Sequence, residues 1–126
     1  MGNALVHLVD DDPGVRGTLA RVLSSDGYQV KVYASGEELL DAADAIGGGC
    51  ILLDITMPKA DGFAVHRALR ERAIDVPVVM MTGSGDLTLL ALKAGVDHFL
   101  QKPFGRSELQ WVLDQLATRA EAGERV

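Results

Sequence analysis

Asp10, Asp11, Asp54, Thr82 and Lys102 have the types and positions to share one chemistry. Each stands where a short apolar run stops: Asp10 and Asp11 after Leu5–Val9, Asp54 after Cys50–Leu53, Thr82 after Val78–Met81 and Lys102 after His98–Gln101. Carboxylates brought together disfavour one another's ionisation, and a bound cation relieves the repulsion. Carboxylate oxygens with a backbone carbonyl and waters suit a hard octahedral ion such as Mg2+. An aspartate screened in that way could attack phosphorus and form an acyl phosphate, while an ammonium and a hydroxyl pair with the phosphoryl oxygens. Acidic residues after strands are also common loop formers and helix caps. Asp12 reads first as the cap of a helix whose first residue is Pro13.

That chemistry needs the ends of several strands to converge, and the pattern of the chain provides for it. After the strand Leu5–Val9, residues Val15, Leu19, Val22 and Leu23 fall at i, i+4, i+7 and i+8, one face of a helix ending near Gly27. Tyr28 to Tyr33 reads as a strand, and Ser35 with Glu38 has capping-box spacing for a helix carrying Leu39, Leu40 and Ala43. A triple glycine at 47–49 marks a loop before the strand Ile51–Leu53. A helix is expected from Gly62 to about Arg72, with Val65, Ala68 and Leu69 inward, then a strand at Val78–Met81. Leu87, Leu90, Ala91 and Ala94 mark another helical face closed by Gly95 as an αL cap. His98–Gln101 is the fifth strand, and Leu109, Val112, Leu113 and Leu116 stripe the last helix.

Five strands alternating with five helices predict a doubly wound α/β fold, a mostly parallel sheet covered on both faces. The runs around Ile51 and Val78 are apolar without alternation, as strands buried on both sides are. In such a sheet ligands bind beyond the C-terminal strand ends, where the strand order reverses. The residues that could do chemistry all fall at those ends.

At 126 residues the chain is long enough for one hydrophobic core, and 48% of it is hydrophobic. A net charge of −6 with scattered basic residues argues against a bare polyanion-binding surface. No run approaches the roughly 18 apolar residues of a membrane span, and no basic leader precedes Leu5, so a soluble cytoplasmic protein is expected. The single cysteine, Cys50, reads as a small buried hydrophobe within a strand. His7, His66 and His98 lack the spacing of a zinc site.

Several segments taken together carry a resemblance: Leu-Val-Asp-Asp (8–11), Ile-Leu-Leu-Asp-Ile-Thr-Met-Pro (51–58) leading to Asp61-Gly62, Met-Thr-Gly (81–83), Ala-Gly-Val-Asp (94–97) and Phe-Leu-Gln-Lys-Pro-Phe (99–104). In this order and spacing the chain resembles the CheY-like receiver domain of bacterial two-component response regulators over about residues 4–119. The resemblance implies a flavodoxin-like five-stranded sheet of order 2-1-3-4-5 with five helices. It implies a switch that accepts a phosphoryl group on Asp54 from a sensor histidine kinase or a histidine phosphotransfer protein. Asp11 then resembles the direct metal ligand, Asp10 the acid that reaches the metal through water, and Thr56 the source of a carbonyl ligand for Mg2+ or Mn2+. Lys102 and Thr82 become the phosphate partners, Phe99 the aromatic that follows Thr82 inward, and Lys102–Pro103 a cis peptide bond. Met-Thr-Gly-Ser-Gly-Asp (81–86) is most like receivers of nitrogen-fixation-type transcriptional regulators.

On this reading residues 4–119 are the receiver, and residues 120–126 a polar tail or the start of a linker. The chain is then a stand-alone receiver, or the receiver of a DNA-binding regulator whose output module is absent. The last residues lack a basic helical pattern, so direct DNA contact by this chain is not expected. A homodimer or an output partner is expected on the face of the helical stripe 87–94, the fifth strand and the last helix. Trp111 lies off the apolar stripe there. Two rivals come from other classes. An Mg2+-dependent phosphohydrolase with an aspartate nucleophile resembles an Asp-x-Asp pair, and here Thr56 stands at the second position. Chemistry is therefore expected to stop at self-phosphorylation from a donor and slow loss of the phosphoryl group. A pure binding module would have no need to gather Asp11, Asp54 and Lys102.

Overall fold

The computed structural model describes residues 5–43, 46, 48–55, 62–83 and 95–121, with side chains as far as Leu116. In chain order the elements are β1 (Leu5–Val9), α1 (Pro13–Ser25), β2 (Gln29–Tyr33), α2 (Gly36–Asp41), β3 (Cys50–Asp54), α3 (Gly62–Glu71), β4 (Val78–Thr82), β5 (His98–Gln101) and α4 (Arg106–Glu121).

Local chemistry sets the helix ends. Asp12 Oδ1 accepts from the N–H groups of Gly14 (2.9 Å) and Val15 (3.2 Å), and Pro13 takes the first helical position, where no N–H is needed. At the other end Gly27, at φ +96°, lets its own N–H reach Ser24 O and the Tyr28 N–H reach Leu23 O, which closes α1 and turns the chain into β2. Helix α2 begins with Ser35 Oγ accepting from Glu38 N at 3.1 Å. The Glu38 carboxylate reaches back to Ala34 N at 2.9 Å, one residue ahead of the cap. Helix α3 ends with the same hydrogen-bond pattern as α1, but Ala73 occupies the left-handed position at φ 60°.

All strand pairs are parallel, in the order β2-β1-β3-β4-β5. Side chains alternate across the sheet and feed two cores. Val9, Ile51, Leu53, Val78 and Met80 pack with Leu39, Val65 and Leu69 from α2 and α3. Val6, Leu8, Leu52, Val79 and Met81 pack with Leu23 from α1 and with Leu109, Val112, Leu113 and Leu116 from α4. Strands β3 and β4 are buried along their whole length, which is why their sequences do not alternate.

The expectation of five helices is corrected to four among the described residues. The residues Leu87 to Ala94 that suggested the additional helix lie outside the described residues.

Candidate functional site

Strand β1 sends the chain to β2 on one side and pairs with β3 on the other, so the strand order reverses between β1 and β3. Asp10 and Asp54 stand at the C-terminal ends of these two strands, and both are buried. Exposed Asp11 joins them: one carboxylate oxygen from each of Asp10, Asp11 and Asp54 lies within 4.8 Å of the others. Lys102 approaches from beyond β5, and its Nζ is 3.2 Å from Asp10 Oδ2 and 3.2 Å from Asp54 Oδ2. The backbone is held as closely. Asp12 N donates to Asp10 Oδ1 at 3.0 Å, Asp10 N to Tyr33 O, and Ile55 N to Met81 O at 3.0 Å. Lys102 N donates at 2.6 Å to the carbonyl of Thr82, the buried last residue of β4. The Lys102–Pro103 peptide bond is cis.

The electrostatics follow from this packing. Burial lifts the Asp10 carboxyl above its ordinary value, and the charge of Asp54 adds to that. The Asp12 N–H and Lys102 oppose the shift without cancelling it. Burial pulls the Lys102 ammonium down, but the fields and hydrogen bonds of Asp54 and Asp10 outweigh it and hold its pKa above the ordinary value. The three carboxylates outnumber the Lys102 ammonium and the Arg16 guanidinium beside them, which leaves the group with a negative formal charge. All the donors are hard oxygens, so the residues fit a divalent cation of the Mg2+ type.

The structure thus brings Asp10, Asp11, Asp54 and Lys102 together and sets Thr82 against the Lys102 backbone, while Thr56 lies outside the described residues. Phe99 is half-buried opposite Met80 and packs on the core shared with α2 and α3. Trp111 is 58% exposed and meets His98 edge-on, with ring centroids 5.9 Å apart. The histidines stay apart from the acidic cluster. His7 is buried, with Nδ1 2.9 Å from the Tyr33 hydroxyl and Nε2 3.1 Å from Gly48 O, while the Nε2 of buried His66 has no hydrogen-bond partner among the described residues. Burial pushes the Cys50 thiol up to about 12, consistent with a core residue. One contact was not foreseen from spacing: Arg16 Nη1 donates at 2.7 Å to the main-chain carbonyl of Asp10. The signal for it was available, because a side chain one turn inside α1 leans back over the helix N-terminus.

Known proteins share this arrangement of elements. The family model of the response regulator receiver domain matches residues 6–114. The tetrathionate response regulatory protein of Salmonella typhimurium is 40% identical over 121 residues, a match covering 94% of this chain and 59% of that protein. Full-length FixJ from B. japonicum superposes with a TM-score of 0.90 at 29% identity, covering 98% of this chain and 62% of that one. The response regulator TrrA from Thermotoga maritima, solved in complex with Mg(2+)-BeF, has a TM-score of 0.81 at 27% identity, with 90% of this chain and 98% of that one covered. This chain spans about half to three-fifths of the length of the curated relatives it matches. Among the described residues no helix is long and apolar enough to cross a membrane. The chain belongs to the response regulator receiver domain family, whose members serve phosphorylation-dependent signalling.

Proposed function

We propose that Asp54 accepts a phosphoryl group from the phosphohistidine of a sensor kinase or phosphotransfer protein. Mg2+ would be held by Asp11, Asp54 and the Thr56 carbonyl, with Asp10 in support through water. The observation that carries this reading is the Lys102 ammonium, 3.2 Å from both buried carboxylates, beside the cluster that Asp11 completes. When bound, Mg2+ would supply charge neutralisation to the carboxylate and the phosphoryl oxygens. An Asp54 oxygen attacks phosphorus, the P–N bond to the donor imidazole breaks, and the leaving imidazole takes a proton from water. Lys102, already against Asp54, pairs with one phosphoryl oxygen, and the Thr82 hydroxyl with another. Phe99 follows Thr82 inward. That alters the face of β5 and α4, where a homodimer or an output partner binds according to its differing affinity for the two states. With Thr56 in place of a second acid, the chemistry ends at self-phosphorylation and slow self-dephosphorylation.

The relatives are regulatory proteins longer than this chain, which favours residues 4–119 as a receiver unit with a linker beginning at 120–126. Histidine-kinase phosphotransfer takes place in the cytoplasm, and the protein is proposed to act there. The test is intact mass after incubation with acetyl phosphate and Mg2+. One phosphoryl adduct is expected in the native protein and none in Asp54→Ala. An adduct that survives that substitution, or no adduct in the native protein, overturns the assignment. Size measurement with and without beryllofluoride checks the dimer.

A further inference from the structure

Arg16 is the cation at this site to which the proposed chemistry gives no part. It sits one turn inside α1, a helix whose first turn carries no acidic residue to hold it. Its side chain leans toward the helix N-terminus, where a cation is disfavoured by the helix dipole. A specific contact must offset that placement, and Nη1 donates at 2.7 Å to the carbonyl of Asp10, a short charge-assisted bond. That carbonyl lies between the two acids the cluster needs. Asp10 Oδ1 is fixed from one side by Asp12 N, Asp10 Oδ2 by Lys102, and Asp10 N by Tyr33 O. The Asp10–Asp11 peptide unit is held through its oxygen by Arg16. Rotation of that unit would swing Asp11, the exposed member of the cluster, away from Asp54.

We propose that Arg16 is a positioning residue for the cation site: by tethering the Asp10 carbonyl it holds Asp11 in register with Asp10 and Asp54. The inference rests on the reading of that cluster as a Mg2+ site. A tether and a bare charge make opposite demands on the metal. If Arg16 acted only as a positive charge, removing it would strengthen Mg2+ binding, because a neighbouring cation repels the ion. If it acts as a tether, removing it weakens Mg2+ binding even though a repelling charge has gone.

Calorimetric titration of the full chain with MgCl2 decides between them. Arg16→Gln is expected to bind Mg2+ about tenfold more weakly, the lower end of what loss of an outer supporting contact does to a metal site. Arg16→Lys keeps the charge but not the reach or the fork of donors, and its affinity should fall between the two. With acetyl phosphate as donor, the Mg2+ concentration for half-maximal phosphorylation should rise in Arg16→Gln. The maximal rate at saturating Mg2+ should stay near that of the native protein, a split that general loss of structure would not produce. Unchanged or tighter Mg2+ binding in Arg16→Gln overturns the proposal; should that variant fail to melt cooperatively, native affinity in Arg16→Lys overturns it. Asp11→Asn separates the two levels. If it leaves Mg2+ binding at the native value, the reading of the cluster fails and takes the tether with it. If it weakens binding while both Arg16 variants do not, the tether alone fails.

Discussion

Replacing Lys102 with Met keeps the unbranched stem and deletes the ammonium, which isolates the charge. At 3.2 Å and an effective dielectric constant near 20, each of its two carboxylate contacts is worth about 5 kcal/mol before solvation is counted. Desolvation of the ammonium offsets much of that. The side chain is also 26% exposed, so water partly replaces it when it is gone. Removing one partner of a buried pair costs about 3–5 kcal/mol. Asp10, whose carboxyl burial already lifts, can take up a proton when the lysine is removed. That places the loss at the lower end, about 3 kcal/mol in metal-free buffer, or about 10 °C in melting temperature for a domain of this size.

Urea unfolding in EDTA, then in excess Mg2+, measures it. The deficit should shrink in Mg2+, because the cation neutralises the carboxylates that Lys102 left unpaired. It should shrink on acidification from pH 7 towards 5 as well. A folded carboxyl whose pKa is raised binds a proton that the unfolded chain does not, so folding gains as the pH falls. In the native protein the raised pKa of Lys102 leaves its contribution intact at neutral pH, and it is lost only as the pH rises through the folded value. A variant as stable as the native protein in EDTA, or a deficit indifferent to both Mg2+ and acid, would refute Lys102 as the counter-ion of this cluster.

Three other substitutions or conditions probe the frame around the site. Ala73 closes α3 in the left-handed region at φ 60°, so Ala73→Gly should stabilise the protein by about 1 kcal/mol in urea unfolding; destabilisation would contradict the strain argument. A Cβ at Gly62 would fall 2.4 Å from Ile55 Cγ2 and 2.8 Å from Ile55 Cα, one residue past Asp54. Gly62→Ala should cost about 2 kcal/mol and slow phosphorylation, while an unchanged urea midpoint would mean that α3 shifts freely. Burial holds the imidazoles of His7 and His66 below their ordinary value. Their contribution is whole above pH about 6.5 and is lost as the pH falls below it, at up to about 1.4 kcal/mol per pH unit for each. NMR titration of the two rings should give midpoints below 6.5, and a midpoint above that value would refute the assignment.

The parts of the fold that were legible in the sequence are those with a local cause. Asp12-Pro13, Gly27, and Ser35 with Glu38 are caps whose chemistry is complete within a few residues, and the helix boundaries fall where they indicate. The unalternating runs around Ile51 and Val78 had to be central strands, because only burial on both faces tolerates them. Given the strands, the meeting of Asp10, Asp54 and Lys102 followed from topology. What was not legible depends on distance in the chain. The sharing of one ammonium between Asp10 and Asp54 and the bond from Tyr33 to His7 join residues whose mutual orientation no periodicity encodes. The end of α3 near Arg72 was legible, but not the left-handed turn at Ala73, because the usual marker there is glycine. The stripe Leu87–Ala94 pointed to a further helix, and those residues lie outside the described ones.

The site is built from groups that repel one another, and that bears on how it can switch. Asp10 and Asp54 are almost wholly buried at the edge of the two-sided core, and one lysine is divided between them. Phosphorylation on the proposed residue would add up to about two negative charges and new acceptor oxygens, so Lys102 could no longer serve both acids equally. Its backbone cannot respond independently. The 2.6 Å bond from Lys102 N to Thr82 O ties the chain after β5 to the end of β4, and Phe99 lies on β5 three residues before Lys102. A demand made on the lysine side chain is therefore felt at Thr82 and Phe99 through a link already present before phosphorylation. The two states would then differ by how one ammonium is shared. The repulsion built into the resting cluster would help a single covalent event to shift that balance.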